Sequence, residues 1–188
     1  MSNVRGSVLM VASMAGFALE DMFIKRAAGT LPVGEILMIF GLGGMLAFIV
    51  MALWTHQRVL HPAILTIPIL LRAVSEVAGR LGYTLAIALT PLSNASAILQ
   101  ATPLVVVAGA ALIFGERVGW RRWAAIAAGF VGVLIILRPG MEGFVLASLF
   151  TVLGTLGFAG RDLATRAAPP VLSNIQLGIY GFFMLIPT

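Results

Sequence analysis

With 188 residues, 60% of them hydrophobic and only 10% charged, the chain lacks the polar residues that a soluble core of this size needs on its surface; soluble domains carry about 25% charged residues. The net charge of +5 is not the footprint of a nucleic-acid partner, because the Lys and Arg residues stand beside apolar blocks rather than on one solvated patch. There is no cysteine, which excludes disulfides and thiolate metal sites.

The apolar residues fall in blocks of about twenty, the length that crosses hydrocarbon as a helix. The expectation is an all-α polytopic membrane protein whose first partner is the lipid bilayer. Span 1 runs from about Gly6 to Ala28; with Glu20, Asp21 and Lys25 inside it, it is too long and too charged for the core of a signal peptide. Span 2 runs from about Gly34 to Trp54, where Gly41, Gly43 and Gly44 permit close helix contact. A polar break with His56 and His61 follows, and it reads as a solvated loop rather than a metal site. Span 3, from Pro68 to Leu89, is apolar apart from Arg72, Glu76 and Arg80, spaced four apart and continued on the same face by Tyr83 and Thr84. Charges at that depth are costly and normally face a protein interior or a water-filled cavity. Span 4, about Ser93 to Phe114, contains Pro103 and a kink is expected there. Span 5 covers about Trp123 to Leu137 and is closed by Arg138-Pro139-Gly140; span 6 covers about Gly143 to Thr165; span 7 begins near Leu172.

The loops give an orientation. With the N-terminus cytoplasmic, the inner segments hold Arg5, Arg58, Arg117, Arg121, Arg122 and Arg166, against Arg138, Lys25 and Arg26 outside. The chain also repeats itself. Gly16-Phe-Ala-Leu-Glu20-Asp21-Met-Phe-Ile-Lys25 aligns without a gap on Gly157-Phe-Ala-Gly-Arg161-Asp162-Leu-Ala-Thr-Arg166. Five spans separate the starts of the copies, an odd number that inverts the second copy in the membrane, as in many secondary transporters. Residues 1–140 then form a first five-helix repeat and 141–188 the start of a second, inverted and incomplete one. About seven spans are present of an expected ten, so the chain reads as a shortened form or a fragment.

The block from Ala88 through Pro91, Asn94, Ser96, Gln100 and Thr102-Pro103, then Phe114-Gly115-Glu116-Arg117, Trp120-Arg-Arg-Trp123, Gly129-Phe-Val-Gly132 and Arg138-Pro139-Gly140, resembles the first repeat of EamA-type transporters of the drug/metabolite transporter superfamily. The resemblance covers spans 1 to 5. It implies ten helices in two inverted repeats, cytoplasmic termini, the cell inner (plasma) membrane and a central cavity for a small-molecule substrate. The wording of residues 88–140 is most similar to members that move amino-acid-like metabolites or cofactors such as S-adenosylmethionine, although fold and family do not fix a substrate.

The candidate residues follow from the charges placed within spans. Glu20, Asp21, Glu76 and Asp162 oppose Lys25, Arg72, Arg80, Arg161 and Arg166, with i, i+4 partners at Asp21–Lys25, Asp162–Arg166, Arg72–Glu76 and Glu76–Arg80. Glu76 and Arg80 are the deeper pair, facing a cavity or locking span 3 to span 1; Arg72 fits either this face or the interface, and Lys25 and Arg166 read as anchors at span ends. Glu20 and Arg161 occupy equivalent repeat positions with opposite charge and are expected to face the centre, with Glu20 or Glu76 as the candidate carrier of a coupling proton. Ser96 and Gln100 share a face of span 4, and Pro103 frees the carbonyl of Leu99; these groups are either substrate contacts or glue between helices. Phe17, Phe158 and Tyr83 are candidates to stack on an organic substrate or to pack the core. Glu116 is expected to pair within its own hairpin, with Arg117, Arg121 and Arg122.

No Gly-x-Ser-x-Gly, no His within a span and no phosphate-binding Gly-rich loop with Lys is present, so neither an enzyme nor an ATPase is expected, and no cofactor. The reading is a secondary transporter of a small organic metabolite working by alternating access, with a proton as the candidate coupling ion. The rival is a lipid carrier or membrane-assembly component, or a piece of a ten-span protein with no transport of its own.

Overall fold

The computed structural model describes residues 2–137 and 147–188. All regular structure among them is helical: α1 (Ser2–Ala27), α2 (Val33–Trp54), a short 310 turn (Pro62–Leu65), α3 (Ile67–Leu89), α4 (Leu92–Leu99), α5 (Thr102–Phe114), α6 (Trp120–Leu137), α7 (Ser148–Arg166) and α8 (Asn174–Phe183). Arg138-Pro139-Gly140 and the expected start of span 6 at Gly143 lie outside the described residues.

Among the described residues, four segments are long and apolar enough to cross a membrane: α1, α2, α4 with α5 as one 23-residue stretch, and α6. Their apolar side chains point outward, for example Val8, Leu9 and Phe23 on α1 and Leu134 and Ile135 on α6. An apolar exterior of this extent belongs against lipid, because water would leave it uncompensated. The protein is a multi-pass helical membrane protein. Helices α3 and α7, with 23 and 19 residues, also have spanning length but carry the charges.

The kink expected of Pro103 in span 4 is the interruption between α4 and α5 at Gln100-Ala101, whose backbone angles remain helical. Proline has no N–H to give and its ring collides with the carbonyl four residues back, so the helical hydrogen-bond ladder lapses just before it. The freed carbonyl of Leu99 is taken by the Thr102 hydroxyl at 2.6 Å, not left for water or a substrate. Span 7 is a ten-residue helix, about 15 Å at helical rise, or half the hydrocarbon thickness.

The core is the pair α3–α7. Small residues let the two backbones meet. A Cβ on Gly82 would lie 2.9 Å from the Gly154 nitrogen and the Phe150 carbonyl, and one on Gly79 would lie 2.9 Å from the Phe158 nitrogen. Such contacts replace the hydrophobic drive that helices lose in lipid. The contacts also fix directions. Along α3 and α7, Arg72 meets Thr165 and Gly82 meets Gly154, so the helices are antiparallel. Along α1 and α3, Glu20 meets Arg80 and Lys25 meets Ile87, so these are parallel. Helix α7 therefore runs opposite to α1. Likewise α8 runs opposite to α2, with Gly178 against Phe48 and Phe182 against Gly44 and Phe40.

Helix α8 is stitched to the loop after α2. Ser173 and Gln176 form a capping box, which satisfies two backbone donors of the first turn. The Ser173 hydroxyl donates to Gln57 Oε1 at 2.6 Å, Gln176 Nε2 donates to the Arg58 carbonyl at 2.7 Å, and the Tyr180 hydroxyl bridges His61 N and the Val59 carbonyl. Ser173→Ala removes both bonds of that hydroxyl. It is expected to cost about 1–2 kcal/mol, read as a lowered Tm of the purified protein in detergent.

Candidate functional site

The polar face of α3 is held between α1 and α7. Arg72, Glu76 and Arg80 are buried, at 9%, 6% and 6% exposure, within a bundle whose outside is apolar. Their helix is long enough to carry them inward and its spacing keeps them on one face. The neighbours supply opposite charge. Arg80 Nη1 donates to Glu20 Oε1 on α1. Glu76 Oε1 lies 3.5 Å from Arg161 Nη1 on α7. Helix α3 thus shows a cation to Glu20 on one neighbour and an anion to Arg161 on the other.

Around Glu76, Arg72 Nη2 lies 3.7 Å away, Arg72 Nε donates to Thr165 Oγ1 at 3.0 Å, and Arg161 Nη2 lies 2.9 Å from Asp162 Oδ1. Helix α8 covers this part: a Cβ on Gly181 would meet Arg72 Nη1 at 3.1 Å and Glu76 Oε2 at 3.5 Å. Around Arg80, the guanidinium carbon sits 4.5 Å from the Phe40 ring of α2 and 5.5 Å from the Phe158 ring of α7, a cation between two aromatic faces. Arg80 Nε is buried without a hydrogen-bond partner among the described residues. Beyond Arg80, the Tyr83 hydroxyl donates to Asp21 Oδ2 at 2.9 Å and lies 3.3 Å from Ser96 Oγ on α4. The side chains of Arg161 and Asp162 are the open end of the cluster, 28% and 44% exposed, whereas that of Glu76 is 8% exposed.

Nine of the sequence candidates therefore meet: Glu20, Asp21, Glu76, Arg80, Tyr83, Ser96, Phe158, Arg161 and Asp162. Two do not. Phe17 is 52% exposed on α1, away from the cluster, and Gln100 is exposed at the end of α4.

The ion pairing within helices is largely replaced by pairing between them. Of the four i, i+4 pairs only Arg72–Glu76 forms, and Arg72 sits inside the cluster rather than at an interface. Lys25 leaves Asp21 and donates to the carbonyls of Ile87 at 2.7 Å and Thr90 at 2.9 Å, where the end of α3 has unpaired acceptors. Arg166 pairs with Glu116 at 2.5 Å, joining the ends of α7 and α5, so Glu116 does not serve its own hairpin. Lys25 thereby satisfies backbone acceptors at the end of α3 that would otherwise lack a donor, whereas Arg166–Glu116 is an exposed pair, with side chains 53% and 43% exposed. Phe40 and Thr165 join the site unannounced. Thr165 had a signal, since it follows Arg161 by four residues on α7; Phe40 had none within its apolar helix.

Comparison with known proteins agrees with this architecture. Over 118 residues the chain is 34% identical to the riboflavin transporter of Rhizobium johnstonii, covering 63% of this chain and 39% of that protein. It is 30% identical over 111 residues to the S-adenosylmethionine uptake transporter of Rickettsia bellii, covering 59% of this chain and 38% of that protein. A pseudopaline exporter of Pseudomonas aeruginosa is 28% identical over 166 residues, covering 86% of this chain and 56% of that protein. The chain spans about half or less of the length of these relatives, all of them named as transporters. No solved structure gives a significant match. The model of the EamA-like transporter family matches residues 4–138, which hold α1 to α6 and with them Glu20, Asp21, the whole charged face of α3 and Ser96; the chain belongs to the EamA-like transporter family.

Proposed function

We propose that the protein moves a small organic metabolite with a charged, amino-acid-like head across the cell inner membrane by alternating access, with the face of α3 as the centre of the substrate path and the N-terminus in the cytoplasm. The observation that carries this is the ionised cluster in the middle of an apolar bundle, closed by α8 on one side and open at Arg161 and Asp162. Buried charge is a poor source of stability, because desolvation offsets most of the Coulomb gain. Its use is better sought in binding. Arg161 and Asp162 offer a carboxylate partner and an ammonium partner side by side, which suits a zwitterionic head. The opposed directions of α1 and α7, and of α2 and α8, support the inverted-repeat reading, in which residues 1–140 form one repeat and 141–188 begin the next. The names of the relatives, which include a riboflavin and an S-adenosylmethionine transporter, support a metabolite of that size class.

The test is uptake by the chain reconstituted in liposomes, with a set of labelled metabolites that includes riboflavin, S-adenosylmethionine and a carboxylated opine. One of them is expected to accumulate, and Arg161→Gln is expected to raise its KM roughly tenfold or more, the loss of one charge-assisted contact. This variant keeps Glu76 paired with Arg72. Uptake of none of the set, or an unchanged KM in both Arg161→Gln and Asp162→Asn, overturns the proposal.

A further inference from the structure

Four carboxylates stand in the cluster, and the structure treats one of them differently. Glu20 is paired with Arg80, Glu76 with Arg72 and Arg161, and Asp162 with Arg161. Asp21 makes no ion pair among the described residues; its one hydrogen bond is from the Tyr83 hydroxyl. Both cations within reach are turned elsewhere. Lys25, one turn along α1, is held by the carbonyls of Ile87, Ala88 and Thr90. Arg80, one turn back on α3 from Tyr83, is engaged by Glu20 and lies between Phe40 and Phe158. The charged and titratable groups around Asp21 are thus Glu20 and Lys25 on its own helix and Arg80 and Tyr83 on α3, with α4 adding the Ser96 hydroxyl.

We infer that Asp21, with Tyr83 and Ser96, is the proton-binding site of this protein. Protonating Glu20, Glu76 or Asp162 breaks at least one ion pair. Protonating Asp21 breaks none. The step needs only a proton from water, which adds to a carboxylate oxygen of Asp21 and leaves later to the other side. It also reverses a chain of hydrogen bonds. With Asp21 ionised, Tyr83 donates to it and Ser96 donates to Tyr83 across 3.3 Å. With Asp21 protonated, Asp21 donates to Tyr83 and Tyr83 donates to Ser96. The state of a group on α1 is thereby passed to α4, the helix that ends at the Gln100-Ala101 break. The use of this site as a coupling site rests on the transport reading; the site itself does not.

The experiment follows the carboxyl C=O stretch by difference infrared spectroscopy on the chain in lipid nanodiscs, stepping from about pH 8 to about pH 5, a range in which solvated carboxylates stay ionised. A protonated-carboxyl band is expected in the wild type, absent in Asp21→Asn, kept in Glu20→Gln, and moved in frequency in Tyr83→Phe, which removes only the hydroxyl that binds Asp21. No band in the wild type, a band that persists in Asp21→Asn, or a band unmoved in Tyr83→Phe overturns the inference. In liposomes, stimulation of uptake by a pH gradient is expected to disappear in Asp21→Asn, and stimulation that survives overturns the coupling role. An intact infrared response in a chain that transports nothing faults the transport reading alone.

Discussion

Gly157→Ala is expected to separate α7 from α3 and to leave little folded protein. A methyl there would press into the backbone of Gly79, closer than real Cβ atoms approach, and would stand 2.9 Å from the Ser75 carbonyl. None of these neighbours is the end of a flexible side chain. Relief therefore requires the two helices to move apart, which loosens every contact from Arg72–Thr165 to Gly82–Gly154 at once. Overpacking of a rigid site costs about 3 kcal/mol, and little else draws these helices together in lipid. The control is Gly132→Ala on α6, where a Cβ meets nothing within 4 Å. Alanine favours a helix by about 0.5–1 kcal/mol over glycine, so this variant is expected to be neutral or slightly stabilised. The two substitutions, identical in chemistry, are predicted to differ in sign in thermal or SDS-induced unfolding of the purified protein. Equal behaviour would show that the α3–α7 approach is not what holds the bundle.

The second large effect is expected at Glu76. Glu76→Gln keeps the shape and removes the charge that faces Arg72 at 3.7 Å and Arg161 at 3.5 Å. Two guanidiniums then share a mostly buried site with only Thr165 and Asp162 as partners. Breaking one side of a buried ion pair costs about 3–5 kcal/mol, and because Arg161 is partly exposed the lower end, about 3 kcal/mol, is expected. The double variant Arg72→Met with Glu76→Leu removes a cation together with the anion and leaves Arg161 with Asp162. It is expected to recover most of the loss, and a double variant as unstable as the single one would contradict the pairing. Glu20→Gln, at the margin of the same network with its side chain 19% exposed, is expected to cost less than Glu76→Gln.

Much of this organisation is legible in the sequence. Hydrophobic blocks of membrane length gave the class, because no soluble surface can be made from them. The spacing of Arg72, Glu76 and Arg80 gave a single polar face, and the gapless match of residues 16–25 with 157–166 pointed to Glu20, Asp21, Arg161 and Asp162 as its neighbours. What failed was the choice of partner. Along one helix, spacing makes Asp21–Lys25 and Asp162–Arg166 obvious pairs, yet Lys25 ends on the carbonyls of Ile87 and Thr90 and Arg166 on Glu116. An exposed i, i+4 pair is worth only about 0.2–0.5 kcal/mol, whereas an unsatisfied carbonyl or carboxylate inside the bundle costs several times that. Satisfying the carbonyls at the end of α3 therefore wins for Lys25, while Arg166 exchanges one exposed partner for another, its side chain and that of Glu116 being 53% and 43% exposed; which partner is reached depends on which helices are adjacent.

The sequence by itself determined that the chain enters a membrane, that one face of span 3 is charged, and that spans 1 and 6 carry related motifs, because these follow from composition and from the period of a helix. Only the tertiary structure decided that α3 lies between those two spans with a cation toward one and an anion toward the other, and that Asp21, alone among the cluster's four carboxylates, makes no ion pair among the described residues. Pairing across helices is set by their order, direction and distance of approach, and a glycine contact such as Gly79–Gly157 fixes all three without leaving a periodic mark in either helix.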